Sequence, residues 1–572
     1  MALQQINKRW ALKPAVQKEI DALQAELKIH PALCRLLCLR GIKDFESARA
    51  FFRPDMQQLH DPLLMKGMKE AVQRISEAIE WNERILVYGD YDVDGTTSVA
   101  VMYSFLREQY QGQLSYYIPH RYREGYGISK QGIDYAIAQG FTLMITLDCG
   151  IKSVDLIQYA KENGIDVIVC DHHTPDEILP AAYAILNPKQ IDCTYPYKEL
   201  SGCGIGYKLI CALAQHWHLS EEATQKYLDL VATSIAADIV PVDGENRILA
   251  YYGIKMANEY PSRPIKTLKD ISGLVKQITL SDLVFAIGPK INAAGRMDDA
   301  RKAVDLFIEK DSEKIKILAE ELMSDNSDRK EVDKNITEEA LHILENDTFL
   351  NTKKSTVLYK EHWHKGVVGI VASRLIDYCY KPTIVLANSN GKISGSARSV
   401  IGFNVYEAIH ACHDLLENYG GHFYAAGVTM KEENYPAFVA KFEQVVAATI
   451  DPLLLTPEIE IDAEIELEDI KPAFYNILKQ FEPFGPNNMR PVFCTRNVRD
   501  YQGNSRIVKE QHIKFVIDNG RGTVVDGIGF RMADKFRYTH PGAFDIVYTL
   551  DENEFNGQTK LQMKVIDIRP AH

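Results

Sequence analysis

Three short, mainly apolar runs, 85–88, 143–147 and 165–170, are separated by stretches whose apolar positions recur with helical spacing. Continuous Val/Ile/Leu runs between helical segments mark buried parallel strands, because crossover helices cover both faces of such a sheet. The pattern predicts strands at 85–88, 115–118, 143–147 and 165–170, interleaved with helices at 96–110, 130–138 and 153–163. Helices near 204–217 and 222–236 follow. This alternation is that of a doubly wound α/β domain.

The pattern changes on either side. Residues 1–80 read as amphipathic helix broken at Pro31 and Pro54, a helical lead-in to the first domain. Residues 246–300 continue helically, and 312–345 form one long charged helix that links two lobes. A second α/β unit follows, with strands at 355–359 and 383–387 and a glycine-punctuated helix start at 366–374. From Glu458 to Leu467 polar and apolar residues alternate strictly, and short strands bounded by Gly and Asn come next, the pattern of a small β-barrel of oligonucleotide-binding type. The expected domains are therefore a helical lead-in at 1–80, a doubly wound parallel-sheet domain at 81–300, a connecting helix at 301–350, a second α/β domain at 351–452 and a β-barrel at 456–572.

Composition narrows the class. The chain has 572 residues, enough for several domains at roughly 150 residues each. No apolar stretch approaches the ~20 residues of a membrane span, and the first ten residues lack the apolar core of a signal peptide. The expectation is a cytoplasmic protein with no membrane partner. Ten cysteines without a Cys-x-x-Cys pair indicate reduced thiols rather than a zinc ribbon or a disulfide framework. A net charge of -13 argues against a basic surface throughout, yet residues 471–572 hold 15 Lys+Arg against 11 Asp+Glu. A nucleic-acid partner stays open.

The apolar runs end in chemistry: Gly89-Asp90-Tyr91-Asp92-Val93-Asp94-Gly95, Asp148-Cys149-Gly150 and Asp171-His172-His173. Carboxyl ends of parallel strands are where such folds place their ligands. Asp238 lies in an apolar helix end, Ala236-Ala237-Asp238-Ile239-Val240-Pro241, where an unpaired carboxylate is costly to bury. Carboxylates with imidazoles and no thiolate suit Mn²⁺ or Mg²⁺. Two other readings compete, solvated surface turns and a calcium loop; the calcium loop needs a Glu where Val101 stands and a helix where the strand at 85–88 stands. Gly202-Cys203-Gly204-Ile205-Gly206 lacks the strand and spacing of a dinucleotide loop and reads as helix packing. His410, Cys412 and His413 read as core packing rather than zinc ligands.

Taken in order, the four acidic motifs resemble those of the Asp-His-His phosphoesterases, and within them the RecJ-type single-strand-specific exonucleases. The resemblance covers nearly the whole chain: 363–372 (Trp363-His364-Lys365-Gly366 onward), Ser394-Gly395-Ser396-Ala397-Arg398-Ser399 and Gly420-Gly421-His422 resemble that family's substrate-binding domain. It implies a 5′ to 3′ exonuclease that releases 5′-mononucleotides from single-stranded DNA by two-metal-ion phosphodiester hydrolysis, in DNA repair and recombination. It further implies a monomer working with a helicase and a single-strand-binding protein.

By the same resemblance, Asp92 and Asp148 hold one Mn²⁺ or Mg²⁺ ion, while Asp94, Asp148, His172 and Asp238 hold the second. His173, Asp148 and Asp90 are the catalytic groups, and Arg121, Ser396 and Arg398 bind a 5′ phosphate. Asn292, Arg296, His364, Gly420, Gly421, His422 and Tyr126 contact nucleic acid, with Tyr122, Phe403 and Tyr424 as further stacking candidates. Some family members carry a His where this chain has Tyr88, which bears on the first metal site. A small-substrate phosphodiesterase or pyrophosphatase of the same family is the alternative function, and a non-catalytic nucleic-acid-binding module is a third.

Overall fold

The computed structural model describes residues 7–297, 299–389, 391–540, 542–555 and 558–571. These fall into two compact units, one built mainly from residues 321–459, the other from 12–295, 300–320 and 460–571.

In the larger unit the apolar runs form a five-stranded parallel sheet in the order Leu114–Tyr117, Ile85–Gly89, Leu143–Leu147, Asp166–Cys170, Ala184–Leu186. The strands Ile85–Gly89 and Leu143–Leu147 are buried along their whole length, as continuous apolar runs require. Leu86, Tyr88, Met144, Val167 and Val169 share one core with Ile133, Ala136, Ile157 and Ala160 of the helices Lys130–Ala138 and Val154–Glu162. The helices Val93–Gln109, Gly202–His216 and Leu228–Ala237 pack on one another, and the first two also contact the sheet.

Strand order reverses between Ile85–Gly89 and Leu143–Leu147, so the chain leaves these neighbours in opposite directions and opens a crevice at their carboxyl ends. Register aligns those ends: Gly89 pairs with Leu147, and Leu147 with Cys170. The next residue on each strand is therefore an acid at the same sheet edge: Asp90, Asp148 and Asp171.

Two local readings change. The helix expected from 96 starts at Val93, because the Asp92 carboxylate caps it by accepting from the Gly95 N–H at 3.1 Å. Asp94 and Gly95 thus both stand in the first helical turn. The apolar pattern does not mark the edge strand Ala184–Leu186, because three residues carry too little periodicity.

The C-terminal segment forms a closed barrel of five strands, 493–500, 512–518, 524–529, 544–555 and 558–570, shut by pairing of Arg499 with Asp518 and of Asp500 with Ile517. Its core is shared with the N-terminal helices Gln17–Leu27 and Pro31–Cys38: Ile20, Leu23, Leu33, Leu36 and Leu37 pack with Phe474, Phe493, Phe515 and Tyr548. Residues 17–52 thus cover the barrel, a different partner from the first domain the sequence suggested. Arg247 fastens the same region, donating to the carbonyls of Phe51, Gln480 and Phe481 with its guanidinium 3.8 Å from the Phe51 ring centroid.

The smaller unit holds a five-stranded mixed sheet in the order Asn418–His422, Ala425–Met430, Lys392–Arg398, Thr383–Ser389, Thr356–Lys360, only the last pair being parallel. The helix Val368–Cys379 packs on this sheet. The long helix Ser312–Asn346 is continuous, as its charged pattern predicts.

Candidate metal centre

At the carboxyl edge of the parallel sheet, three overlapping groups of side chains bring their ligand atoms within 4.8 Å of one another: Asp90, Asp92 and Asp148; Asp148, His172 and His173; Asp94, His172 and Asp238. Asp148 is common to the first two, and His172 to the last two. Nε2 of His172 lies 3.2 Å from Asp148 Oδ1, 3.5 Å from Asp238 Oδ2 and 3.9 Å from Asp94 Oδ2.

Backbone strain and helix geometry hold this cluster. Asp148 has φ +59° and Ile239, directly after Asp238, has φ +58°, a left-handed conformation that β-carbon crowding disfavours and that gathers at functional sites. Asp94 is aimed by three donors: the Gly202 N–H at 2.7 Å, the Cys203 N–H at 2.7 Å and the Ser234 hydroxyl at 2.6 Å. The first two belong to the amino terminus of the helix Gly202–His216, whose dipole favours a carboxylate there. A β-carbon on Gly202 would stand 2.7 Å from that of Asp148, so only glycine lets the helix approach. The helix-packing reading of 202–206 holds, and the surface it packs against is the acid cluster itself.

The electrostatics call for a cation. Asp90, Asp94 and Asp148 are at most 2% exposed. Burial, then repulsion from Asp94, Asp92, Asp238 and Asp90, pushes the Asp148 carboxyl well above the usual range. Asp90 is pushed up by burial and then by Asp92, and Asp238 by burial and then by Asp94. Burial lowers His172. Among the described residues, Asp90 Oδ2, Asp148 Oδ1 and His172 Nε2 are buried and have no hydrogen-bond partner. Buried lone pairs facing one another are repulsive unless a positive charge lies among them. A hard divalent cation with oxygen and imidazole ligands satisfies all of them, and the residues present fit one.

His173 stands apart in character. Its Nδ1 is 2.7 Å from Asp171 Oδ1, and Asp171 is itself fixed by the N–H groups of Ile151 and His173. Burial opposes a charged imidazole, but the Asp171 hydrogen bond and charge outweigh it and raise the His173 pKa. Asp171, quoted in the sequence motif without a role, is thus the residue that orients His173. The signal was there: a carboxylate two residues before an imidazole at a strand end.

The other anticipated residues divide by unit. The Tyr126 hydroxyl donates to the Asp148 carbonyl at 3.0 Å and lies 3.2 Å from His173 Nε2, so Tyr126 belongs to the metal cluster. Tyr88 is buried; its hydroxyl donates to the Gly127 carbonyl and accepts from the Ser129 N–H, while the Gly127 N–H donates to Asp90. It therefore braces Asp90 through the loop. The Asn292 side chain accepts from the Val93 N–H at 3.1 Å, between Asp92 and Asp94. The Arg121 guanidinium stacks 4.8 Å from the Tyr91 ring centroid.

In the smaller unit, Arg398 Nη1 donates to Ser396 Oγ at 2.6 Å, and a β-carbon on Gly369, in the first turn of the helix Val368–Cys379, would meet both side chains. An arginine, a hydroxyl and a helix amino terminus are groups that favour an anion. His364 is half-buried and accepts from the Gly366 N–H, and its neighbour Trp363 donates to Glu339. Gly420, Gly421 and His422 lie on an exposed edge strand, and Gly421, at φ +152°, has no room for a β-carbon against Ala425 and Ala426. Burial raises the Asp333 carboxyl above its ordinary range, and Arg374, Arg329 and, least of them, Arg296 only partly oppose this. Phe403, unlike the stacking role the sequence suggests for it, is 6% exposed within the apolar core and unavailable to a base, whereas Tyr424 is exposed. His410 and His413 are also exposed, unlike the buried Cys412.

Comparison with known proteins agrees with this architecture. Residues 84–235 match the DHH family, N-terminal domain, 352–448 the DHHA1 domain and 461–567 the RecJ OB domain. The chain is 36% identical over 98% of its length to the single-stranded-DNA-specific exonuclease RecJ of Bacillus subtilis, covering 70% of that protein. It is likewise 36% identical over 96% of its length to that of Salmonella typhimurium, covering 98%. The crystal structure of RecJ from Thermus thermophilus in complex with Mn²⁺ superposes with a TM-score of 0.84 at 27% identity, covering 100% of this chain and 80% of that one. Its complex with Mg²⁺ gives 0.79 at 26%, covering 99% and 79%. Among the described residues no helix is long and apolar enough to cross a membrane. Acids registered at one sheet edge, an arginine and serine on the second sheet and a closed C-terminal barrel thus occur together in one chain, which belongs to the RecJ family of DHH phosphoesterases.

Proposed function

We propose that the protein is a metal-dependent exodeoxyribonuclease that degrades single-stranded DNA from its 5′ end and releases 5′-mononucleotides, in DNA repair and recombination. The observation that carries the reading is the convergence of buried, unpartnered Asp90, Asp148 and His172 atoms at the switch point of the sheet. Asp92 and Asp148 would hold one ion, with Asp90 close by, and Asp94, Asp148, His172 and Asp238 the second. When bound, two Mn²⁺ or Mg²⁺ ions supply Lewis-acid activation of water and phosphate.

The protein's own residues do the rest. Asp148, shared between the groups, sets the spacing of the two positions. His173, held by Asp171 with a raised pKa, presents Nε2 towards the cluster as a proton donor or electrophile for the phosphate. Tyr126 fixes that nitrogen and the Asp148 carbonyl together. Arg121, Ser396 and Arg398 would take the terminal 5′ phosphate, so that cleavage is counted from an end. Asn292, Arg296, His364, Gly420, Gly421 and His422 would follow the strand, and the barrel would guide it inward. A small substrate is the second reading, but the closed barrel and its covering helices add length that a small-substrate enzyme does not need, which favours a polymer. A helicase and a single-strand-binding protein as partners, a monomeric state and a cytoplasmic site of action belong to the same proposal.

Single-stranded DNA labelled at its 3′ end, with and without a 5′ phosphate, tests it in Mn²⁺, Mg²⁺ or EDTA. A metal-dependent ladder shortening from the 5′ end is expected. An intact polymer alongside hydrolysed dinucleotides or pyrophosphate would transfer the site to the small-substrate reading.

A further inference from the structure

The geometry points to Tyr91 as the residue that positions Arg121: its ring is the platform on which the phosphate-anchoring guanidinium lies, and it ties that guanidinium to the metal centre. The inference rests on the proposed reading of Arg121 as a 5′-phosphate anchor.

Arg121 sits on the loop between the strand Leu114–Tyr117 and the helix Lys130–Ala138. The base of this loop is fixed by Glu124, which accepts from the His120 N–H, the Tyr117 hydroxyl and the Ser129 hydroxyl. An arginine side chain still has four rotatable bonds beyond its backbone, and ordering them on phosphate binding costs affinity. The Tyr91 ring removes that freedom, with the guanidinium carbon 4.8 Å from its centroid.

Tyr91 is itself placed by the metal site. It is the residue between Asp90 and Asp92, and a β-carbon on Gly295 would stand 2.9 Å from its carbonyl, so the helix Gly288–Met297 closes on its backbone. Its ring meets Tyr126 edge to face at 6.1 Å and 85°. Tyr126 meets His173 at 5.8 Å and 75°, and its hydroxyl touches both His173 and Asp148. A continuous chain of contacts, Arg121 to Tyr91 to Tyr126 to His173, therefore sets the distance between the end that is held and the bond that is cut. Tyr91 is a positioning residue: it acts through Arg121 and discriminates substrates by their 5′ end.

The test compares kcat/KM for single-stranded oligonucleotides bearing a 5′ phosphate or a 5′ hydroxyl, with saturating Mn²⁺, for the full-length wild type, Tyr91→Leu, Tyr91→Met, Tyr91→Phe, Arg121→Ala and the double variant Tyr91→Leu/Arg121→Ala. The phosphate-to-hydroxyl ratio is internal to each enzyme, so a change in folded fraction cancels. Loss of the ring should lower the ratio by roughly 3- to 30-fold, chiefly through KM, the range of a cation–π contact. Tyr91→Met guards against a packing failure of Tyr91→Leu, Tyr91→Phe should restore the ratio, and the double variant should match Arg121→Ala. If the ring-free variants slow both substrates equally, or keep the ratio, the inference is overturned. If Arg121→Ala itself keeps the ratio, the anchor reading fails first and takes the inference with it.

Discussion

At the scale of single residues, Asp148 carries the most. It is buried, strained at φ +59° and shared by two of the ligand groups. Asp148→Ala removes the shared ligand, and the rate should fall at least ~10³-fold, about 4 kcal/mol of transition-state stabilisation. Single-turnover assays across a Mn²⁺ titration check this, and rescue to wild-type turnover at high Mn²⁺ would remove the shared-ligand assignment. Asp171→Asn should behave differently: it keeps the shape but weakens the hold on His173 Nδ1, lowering kcat by roughly 10²-fold, within the range for a general acid–base group. Mn²⁺ affinity, read by calorimetry, should be nearly unchanged. A large loss of metal binding in this variant would make Asp171 a ligand.

At the scale of elements, what positions the site is register: Gly89, Leu147 and Cys170 stand side by side, so three successive acids emerge together. Gly202→Ala should push the helix Gly202–His216 off Asp94 and Asp148, costing roughly 1–3 kcal/mol of overpacking together with activity. Thermal melting and turnover of that one variant check it; an unchanged melting temperature contradicts the close approach. The long apolar runs and the acids at their ends were legible in the sequence because fully buried parallel strands have no polar face. Hidden from it were the edge strand Ala184–Leu186, too short for a period, and the donors to Asp94, since Ser234 and the Gly202 N–H meet it only through packing of distant helices. Phe403 misled for the same reason: an aromatic beside an Arg/Ser segment looks alike in sequence whether it faces the core or solvent.

At the scale of the whole molecule, the covering of the barrel by residues 17–52 joins segments more than 400 residues apart, which no local pattern reveals. Leu23, Leu33, Leu36 and Leu37 are fully buried, and at about 1.5–3 kcal/mol each their loss rivals the ~5–15 kcal/mol of a typical domain. Deletion of residues 1–55 should therefore give a protein that aggregates or binds a hydrophobic dye, not one merely lacking a lead-in.

Stability of the whole should also depend jointly on metal and pH. Asp90, Asp148 and Asp238 have folded-state pKa values raised by burial and then by neighbouring carboxylates. Their protonation favours folding of the metal-free protein at acid pH, and that contribution is lost as pH rises above the ordinary carboxylate range of about 4. Mn²⁺ takes the place of those protons. The gain in melting temperature on adding Mn²⁺, worth about 2.7 kcal/mol at a hundred times Kd, should widen from weakly acid to neutral pH. A gain that narrows over the same interval contradicts the assignment.

The most direct test of the central claim is anomalous diffraction from crystals grown with Mn²⁺. Two peaks ~3.5 to 4 Å apart are expected with Asp148 between them, one beside Asp92 and the other beside Asp94, His172 and Asp238. A single peak, or two that do not share Asp148, would contradict a two-metal centre at the switch point of the sheet.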